Sequence, residues 1–260
     1  MDETIVHAYG VVAADEPLTP FPPGIADTTV WVHSADSLAA IVSLLPVEGL
    51  GVANWERHAT NVGWLEPIAR RHHEVLRHVA MTAAVVPLRL PSLYDNLGSL
   101  TDALREAGDV LERDLRRIEG KVEWAVKVYR TAEAQSSAVS TPATSGRDYL
   151  LTRSRDLSAR SSAQEQLRER VREIHEALGQ LSAEYVRNQP QDAVLSGRKE
   201  QMLLNGAYLV GRADQARFLE LVGEIADDSS TKGLSVEVSG PWPAYNFTGS
   251  AEAATTEATT

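Results

Sequence analysis

The chain has 260 residues, is 43% hydrophobic and 23% charged, contains no cysteine and carries a formal net charge of −11. That length allows one large domain or two modest ones with a real core, and the composition lies far from that of a disordered chain. Without cysteine there is no disulfide framework and no thiolate metal site, and the acidic balance argues against nucleic acid, whose binding needs clustered Lys and Arg.

The charge is unevenly spread. Residues 1–60 hold eight acidic residues against Arg57 alone, whereas residues 121–190 carry eleven Lys/Arg against nine Asp/Glu, a balance rather than a basic patch. The N-terminus lacks the basic region and apolar run of a secretion signal, and no stretch approaches the roughly 20 apolar residues of a membrane span. A soluble, cytoplasmic protein without membrane contact is expected.

Ile5–Val12 is short and β-branched, which predicts a first strand ended by the loop of Pro17, Pro20, Pro22 and Pro23. Thr28–His33 predicts a second strand. Leu38–Leu44 is a third apolar run, which continuous apolarity does not separate from a short helix; three strands here would form an antiparallel meander. Leu65, Ile68, Ala69, His72, Val75, Leu76 and Val79 fall at helical spacing and predict a helix over 64–81. Ala83–Leu88 reads as a buried strand with Pro87 at its end or edge. Leu100, Leu104, Ala107, Leu111, Leu115 and Ile118 make the stripe of a second helix, and Gly120 stands where a terminating glycine belongs.

Val122–Tyr129 predicts a strand, with Glu123 and Lys127 between its apolar positions, and the Ala/Ser/Thr/Pro run of 132–146 predicts a flexible loop. The segment 148–188 reads as one long helix. Its seam, Leu167, Val171, Ile174, Leu178, Leu181 and Tyr185, is heptad-like but short, which favours packing within the chain over an intermolecular coiled coil. Met202–Val210 predicts a strand, Gln215–Ile225 a helix and Leu234–Val238 a last strand, followed by a low-complexity, disordered tail over 248–260. The pattern predicts an α+β fold of two small domains, 1–119 and 120–247, with antiparallel or mixed sheets and ferredoxin-like character.

Chemical motifs are scarce. Gly-x-Gly-x-x-Gly, Gly-x-x-x-x-Gly-Lys-[Ser/Thr] and Gly-x-Ser-x-Gly are all absent, which lowers the case for nucleotide-dependent or acyl-transfer enzymes. In Arg70–His78, His72 and His73 point about 100° apart on a helix, unlike a zinc pair at i, i+4, and the arginines among them disfavour a cation. Asp227-Asp228 reads as a solvated helix end, and the acceptor pattern Asn246-Phe247-Thr248 has no secretion signal to give it meaning. No catalytic, cofactor-binding or metal-binding residue is nominated.

Six stretches in collinear order over residues 5–247 resemble the gas vesicle GvpF/GvpL family. They are Tyr9-Gly10-Val11-Val12; His73-Glu74-Val75-Leu76 leading to Val86-Pro87-Leu88-Arg89; Gly120-Lys121-Val122-Glu123-Trp124; Gly146-Arg147-Asp148-Tyr149-Leu150-Leu151; Asn205-Gly206-Ala207-Tyr208-Leu209-Val210; and Gly240-Pro241-Trp242-Pro243-Ala244-Tyr245-Asn246-Phe247. Two positions depart from the family pattern: Leu90-Pro91-Ser92 stands where Phe-Gly-Thr is usual, and Pro243-Ala244-Tyr245 where Pro-Pro-Tyr is more frequent. The resemblance implies a minor gas vesicle protein, not an enzyme, that binds the small hydrophobic shell protein, prevents its aggregation and helps nucleate assembly. Its implied partners are that shell protein and other minor gas vesicle proteins. A ligand-sensing ferredoxin-like regulator and an enzyme with an unrecognised pocket are the alternatives.

Candidate protein-binding residues are Arg89, Trp242, Tyr245 and Phe247. The three aromatics suit an exposed docking patch, but Gly240, Pro241 and Pro243 favour an extended segment that folds back to plug the core of the C-terminal domain. Arg89 suits either an exposed contact or an ion pair.

Overall fold

The computed structural model describes residues 3–18, 20–131, 146–190, 200–230 and 233–249, with the backbone alone over 146–160. The chain divides into two units: Met1–Glu123 together with Pro241–Thr260, and Trp124–Gly240. The loop expected over 132–146 lies outside the described residues apart from Gly146, which opens a helix, and so does the expected tail beyond Gly249.

In the first unit, β1 (Thr4–Ala13) buries eight of its ten residues and lies inside a sheet of order β2-β3-β1-β4, where β2 is Trp31–Ala35, β3 Leu38–Pro46 and β4 Val86–Pro87. A two-residue strand, β5 (Leu93–Tyr94), also pairs with β1, and every recorded pairing is antiparallel. The expected meander is therefore corrected: β1 neighbours β3, and β2 lies at the edge. Burial explains the order, because β3 is covered along nearly its whole length and needs a strand on each side, whereas β2 is mostly half-exposed. Burial of both faces also accounts for the continuous apolar run of Leu38–Leu44, which the structure shows to be a strand.

Two short helices, α1 (Val47–Leu50) and α2 (Val52–His58), lead to α3 (Val62–Ala80), whose Asn61 cap accepts a hydrogen bond from the Trp64 N–H. The expected apolar stripe is the buried face of α3: Ile68, His72, Val75, Leu76 and Val79. Gly10 lets this helix and β4 approach β1, since a Cβ there would lie 2.7 Å from Leu76 Cδ2 and 2.9 Å from the Val86 carbonyl. β4 is only two residues long, with Pro87 unable to donate to the ladder. The single helix expected over 100–118 is two, α4 (Leu97–Glu106) and α5 (Gly108–Ile118). They part at Ala107, whose ψ of 0° leaves the helical range next to Gly108, a poor helix former.

The second unit follows the order β6 (Lys121–Arg130), α6 (Gly146–Gln180), β7 (Glu184–Arg187), β8 (Gln201–Gly211), α7 (Gln215–Ser230) and β9 (Leu234–Trp242). Its sheet order is β7-β8-β6-β9, a β-α-β-β-α-β pattern of ferredoxin-like type. The long helix is corrected at its end. It stops at Gln180, and residues expected to continue the seam form β7 instead, with Tyr185 opposite Tyr208. Gly179 permits the reversal, because the Tyr185 ring occupies the space 2.6 Å from where a Cβ would stand. Upstream, Val171, Ile174 and Leu178 are buried, and α6 packs on β8 and α7, so the seam is used within the chain. Asp228, on α7, pairs with Arg170 of α6.

A polar cluster lies inside the first unit. His72 Nε2 is 3.2 Å from the Leu88 carbonyl and must donate to it, so its Nδ1 accepts from His7 Nε2 at 3.0 Å. Among the described residues no group meets His7 Nδ1 at good hydrogen-bond geometry, although, against the larger effect of burial, the Ser92 backbone acts on this ring to raise its pKa. Beside the pair, the Tyr9 hydroxyl shares a hydrogen bond with Ser43 Oγ at 2.9 Å and accepts one from the Ile25 N–H at 3.0 Å. Burial, then the charge of His72, holds His7 well below the ordinary imidazole value; burial lowers His72 to about 4, against the pull of the Leu88 carbonyl.

The unfolded chain takes up these protons below an ordinary value of 6.5 while the native chain resists, so stability is present above pH 6.5 and is lost as pH falls toward 4. Unfolding free energies from urea titrations between pH 7 and pH 4 are expected to fall less steeply in His72→Gln than in the parent, by on the order of 3 kcal/mol at the acid end. Parallel profiles would remove the histidine pair as the source of acid sensitivity.

Candidate protein-binding site

The last described residues return to the first unit. Tight turns fold the segment after β9: the Tyr245 N–H donates to the Pro243 carbonyl at 2.7 Å, and both the Phe247 N–H and Thr248 Oγ1 donate to the Ala244 carbonyl at 3.1 Å. Ala244 and Phe247 are buried. The segment had been expected to close the C-terminal domain; instead its recorded partners, His73, Asp114, Arg117 and Glu123, all belong to the first unit. Thr248 and Gly249 are held too, although the tail had been expected to begin there.

Glu123 is the centre of this attachment. Its carboxylate accepts from the Asn246 backbone N–H at 2.9 Å and from Asn246 Nδ2 at 2.6 Å. Arg117 Nη1 donates to the Phe247 carbonyl at 3.0 Å, and the Gly249 N–H donates to Asp114 Oδ2 at 3.0 Å. Glu123 is 3% exposed, and burial pushes its carboxyl up to about 7 while the Asn246 hydrogen bonds pull it down. Sequence reading missed both carboxylates. Glu123 sits at a position that alternation assigns to the solvent side of a strand, yet Val122, Glu123 and Trp124 are all buried. Asp114 interrupts nothing in the apolar stripe of α5, and its hydrogen bond from the distant Gly249 has no local sequence signal.

The four candidate residues separate in space and role. His73, half-buried on α3, is the platform on which two of them meet. The Trp242 ring centroid lies 4.8 Å from its ring, and the Tyr245 ring stacks on it at 6.0 Å and 26°, with the Tyr245 hydroxyl 3.3 Å from His73 Nδ1. Desolvation, then the nearby Arg77 charge, lowers the His73 pKa, which favours the neutral ring. Tyr245 is 41% exposed, Trp242 half-buried and Phe247 buried at 2%. Phe247 is therefore buried, whereas Tyr245 faces solvent beside the half-buried Trp242. Arg89 is exposed in the loop after β4, where Ser92 Oγ donates to its carbonyl at 2.6 Å.

His72 turns inward to β1 while His73 turns outward to the aromatic pair, and no group of three His, Asp or Glu side chains among the described residues is arranged to hold a metal ion. An aromatic surface held by a buried carboxylate loses little conformational freedom on docking.

Comparison with known proteins agrees with this architecture. A family model described as gas vesicle synthesis protein GvpL/GvpF matches residues 5–249. Gas vesicle protein L of a Streptomyces species is 33% identical over 220 residues, covering 83% of this chain and 81% of the relative. Gas vesicle protein F2 of Halobacterium salinarum is 28% identical over 251 residues, covering 95% and 93%. Crystal structures of GvpF from Anabaena and from Microcystis aeruginosa share the fold, with TM-scores of 0.70 and 0.62 at 18% identity; each alignment covers 94% of this chain, with 96% and 98% of the respective neighbours. The family-model match over residues 5–249, together with a relative 33% identical over 83% of the chain, places this protein in the GvpL/GvpF family of gas vesicle synthesis proteins.

Proposed function

We propose that this protein is a cytoplasmic assembly factor that acts by binding rather than by catalysis. It engages the small hydrophobic shell protein of the gas vesicle, keeps it from aggregating and helps nucleate vesicle growth, together with other minor gas vesicle proteins. Family membership sets the process. The observation that supports a binding role is the exposed Tyr245, stacked on His73 beside Trp242 and held in place through Asn246 and Glu123. Aromatic anchors of this kind dominate binding energies at protein interfaces. A net charge of −11 disfavours self-association while an apolar partner is bound.

Co-expression with the shell protein is expected to yield a complex that stays in solution. A pull-down at native salt that recovers no shell protein, with shell solubility unchanged, sinks the proposal. Tyr245→Ala is expected to weaken capture by about 2 kcal/mol, roughly thirtyfold in Kd, while loss of the His73 stack and hydrogen bond lowers stability by only about 1 kcal/mol. Phe247→Ala, by contrast, acts through the core and is expected to lower stability by about 3–5 kcal/mol. If Tyr245→Ala captures shell protein as well as the parent, the aromatic pair is not the docking surface.

Asn246→Ala tests the attachment itself. Because burial raises the Glu123 pKa, the stability linked to its proton is present below about 4.5 and is lost as pH rises through 7. Alanine in place of Asn246 keeps the backbone N–H donor but removes Nδ2, one of the two hydrogen bonds that lessen this loss. The expected deficit is about 1–3 kcal/mol near pH 8, shrinking toward pH 5 where the carboxyl is protonated. Denaturant titrations at the two pH values measure it, and a pH-independent deficit would contradict the assigned role of Glu123.

A further inference from the structure

The second unit contains a cavity of about 560 Å³ between α6 and the strands β6, β7 and β8. Its apolar side is made by Leu167 and Val171 of α6 with Met202 of β8, and Val171 and Met202 are themselves buried. Its polar side holds three arginines, Arg130, Arg168 and Arg187, and none of the described residues that line it is a carboxylate. In a chain with 36 acidic residues against 25 basic ones, that concentration of one sign stands out from the composition.

The arginines come from three different elements, the end of β6, the helix α6 and the edge strand β7, so no local charge pattern brings them together. Arg187 is anchored by its Nη2, which donates to the Leu203 carbonyl at 3.1 Å. Arg168 faces Glu165 on the exposed turn of α6 at 3.7 Å, a surface contact of small energetic weight. The positive field reaches inward: after desolvation, the Arg187 charge is the next cause lowering the His175 pKa, and it opposes the rise of the Tyr208 phenol. A guanidinium recognises a carboxylate, sulfonate or phosphate group through paired N–H donors, and a cavity of this volume is in the range that encloses a small ligand.

We propose that this cavity binds a small amphipathic organic anion, whose head group meets Arg130, Arg168 and Arg187 while its short apolar body lies on Leu167, Val171 and Met202. The site is separate in sequence and structure from the Trp242 and Tyr245 surface and does not depend on its role. Such a ligand would bridge α6 to the strand pair β7 and β8, and so tie the helix to the sheet it covers.

Anilinonaphthalene sulfonate, an anionic aromatic probe whose fluorescence rises on burial, tests this with the full chain. The parent is expected to bind it saturably at one site per chain. Decanoate should displace it, and decyltrimethylammonium, with the same tail and the opposite charge, should not. Arg168→Glu, an exposed substitution, is expected to weaken probe binding at least about tenfold, the effect of losing a charge-assisted contact, with the thermal melt unchanged. Arg187→Gln should weaken it likewise. No saturable binding, equal displacement by the cationic analogue, or full affinity in Arg168→Glu with a native melt would each overturn the assignment.

Discussion

Burial of β1 along eight of its ten residues is the constraint from which the first unit is built. Strands covered on both faces cannot leave a polar side chain to water, so His7 and Tyr9 of β1 and Ser43 of β3 must find their partners inside. They do so across elements: His7 to His72 of α3, and Tyr9 to Ser43 of β3 and to the backbone at Ile25. The irregularity between Ala8 and Gly10 in the β1–β3 register serves the same end. It leaves Tyr9 unpaired in the ladder and free to aim its hydroxyl, while Gly10 leaves room for Leu76 and Val86. The Tyr9-Gly10-Val11-Val12 motif therefore has a packing explanation at each of its first two positions.

Where local chemistry decides an element, the sequence was legible. The 3.6-residue stripe of α3, the existence of β6 as a strand and the apolar run of β8 all appear as the structure has them, within a few residues. The failures have a common physical cause. Leu181 and Tyr185 continue a helical spacing by coincidence of 3 and 4, but period alone carries no information about Gly179, whose missing side chain is filled by the Tyr185 ring. The strand that was hidden inside that spacing, β7, is the one that completes the ferredoxin-like order. In the same way, the two-helix division at Ala107 keeps one apolar stripe on both sides of the break, so the stripe gave no sign of it.

The candidate site was legible in part. Three aromatics among prolines and a glycine mark an unusual segment, and the chemistry of an exposed tyrosine can be read from one residue. Which ring is buried cannot, because the hydrogen-bond partners that fix the segment, Asp114, Arg117 and Glu123, lie more than a hundred positions upstream. Glu123 and Asn246 are separated by 123 residues, and neither position shows locally that the other will meet it.

Strand order explains why they meet. β9 lies beside β6 in one sheet, and the Thr131 N–H at the end of β6 donates to the Gly233 carbonyl at the start of β9, so the two strands run in opposite directions. The end of β9 must then emerge alongside the start of β6, which is where the chain first left Met1–Glu123. All 117 residues of Trp124–Gly240 are thus inserted into the first unit through two adjacent strand ends, without a long connection at either. The returning chain is delivered to Glu123 by that pairing, and Asn246 has only to close a distance already made short. The Glu123 carboxylate is consequently both the exit point of one unit and the anchor of the segment that follows the other, which ties the presentation of Tyr245 to the correct pairing of β6 with β9.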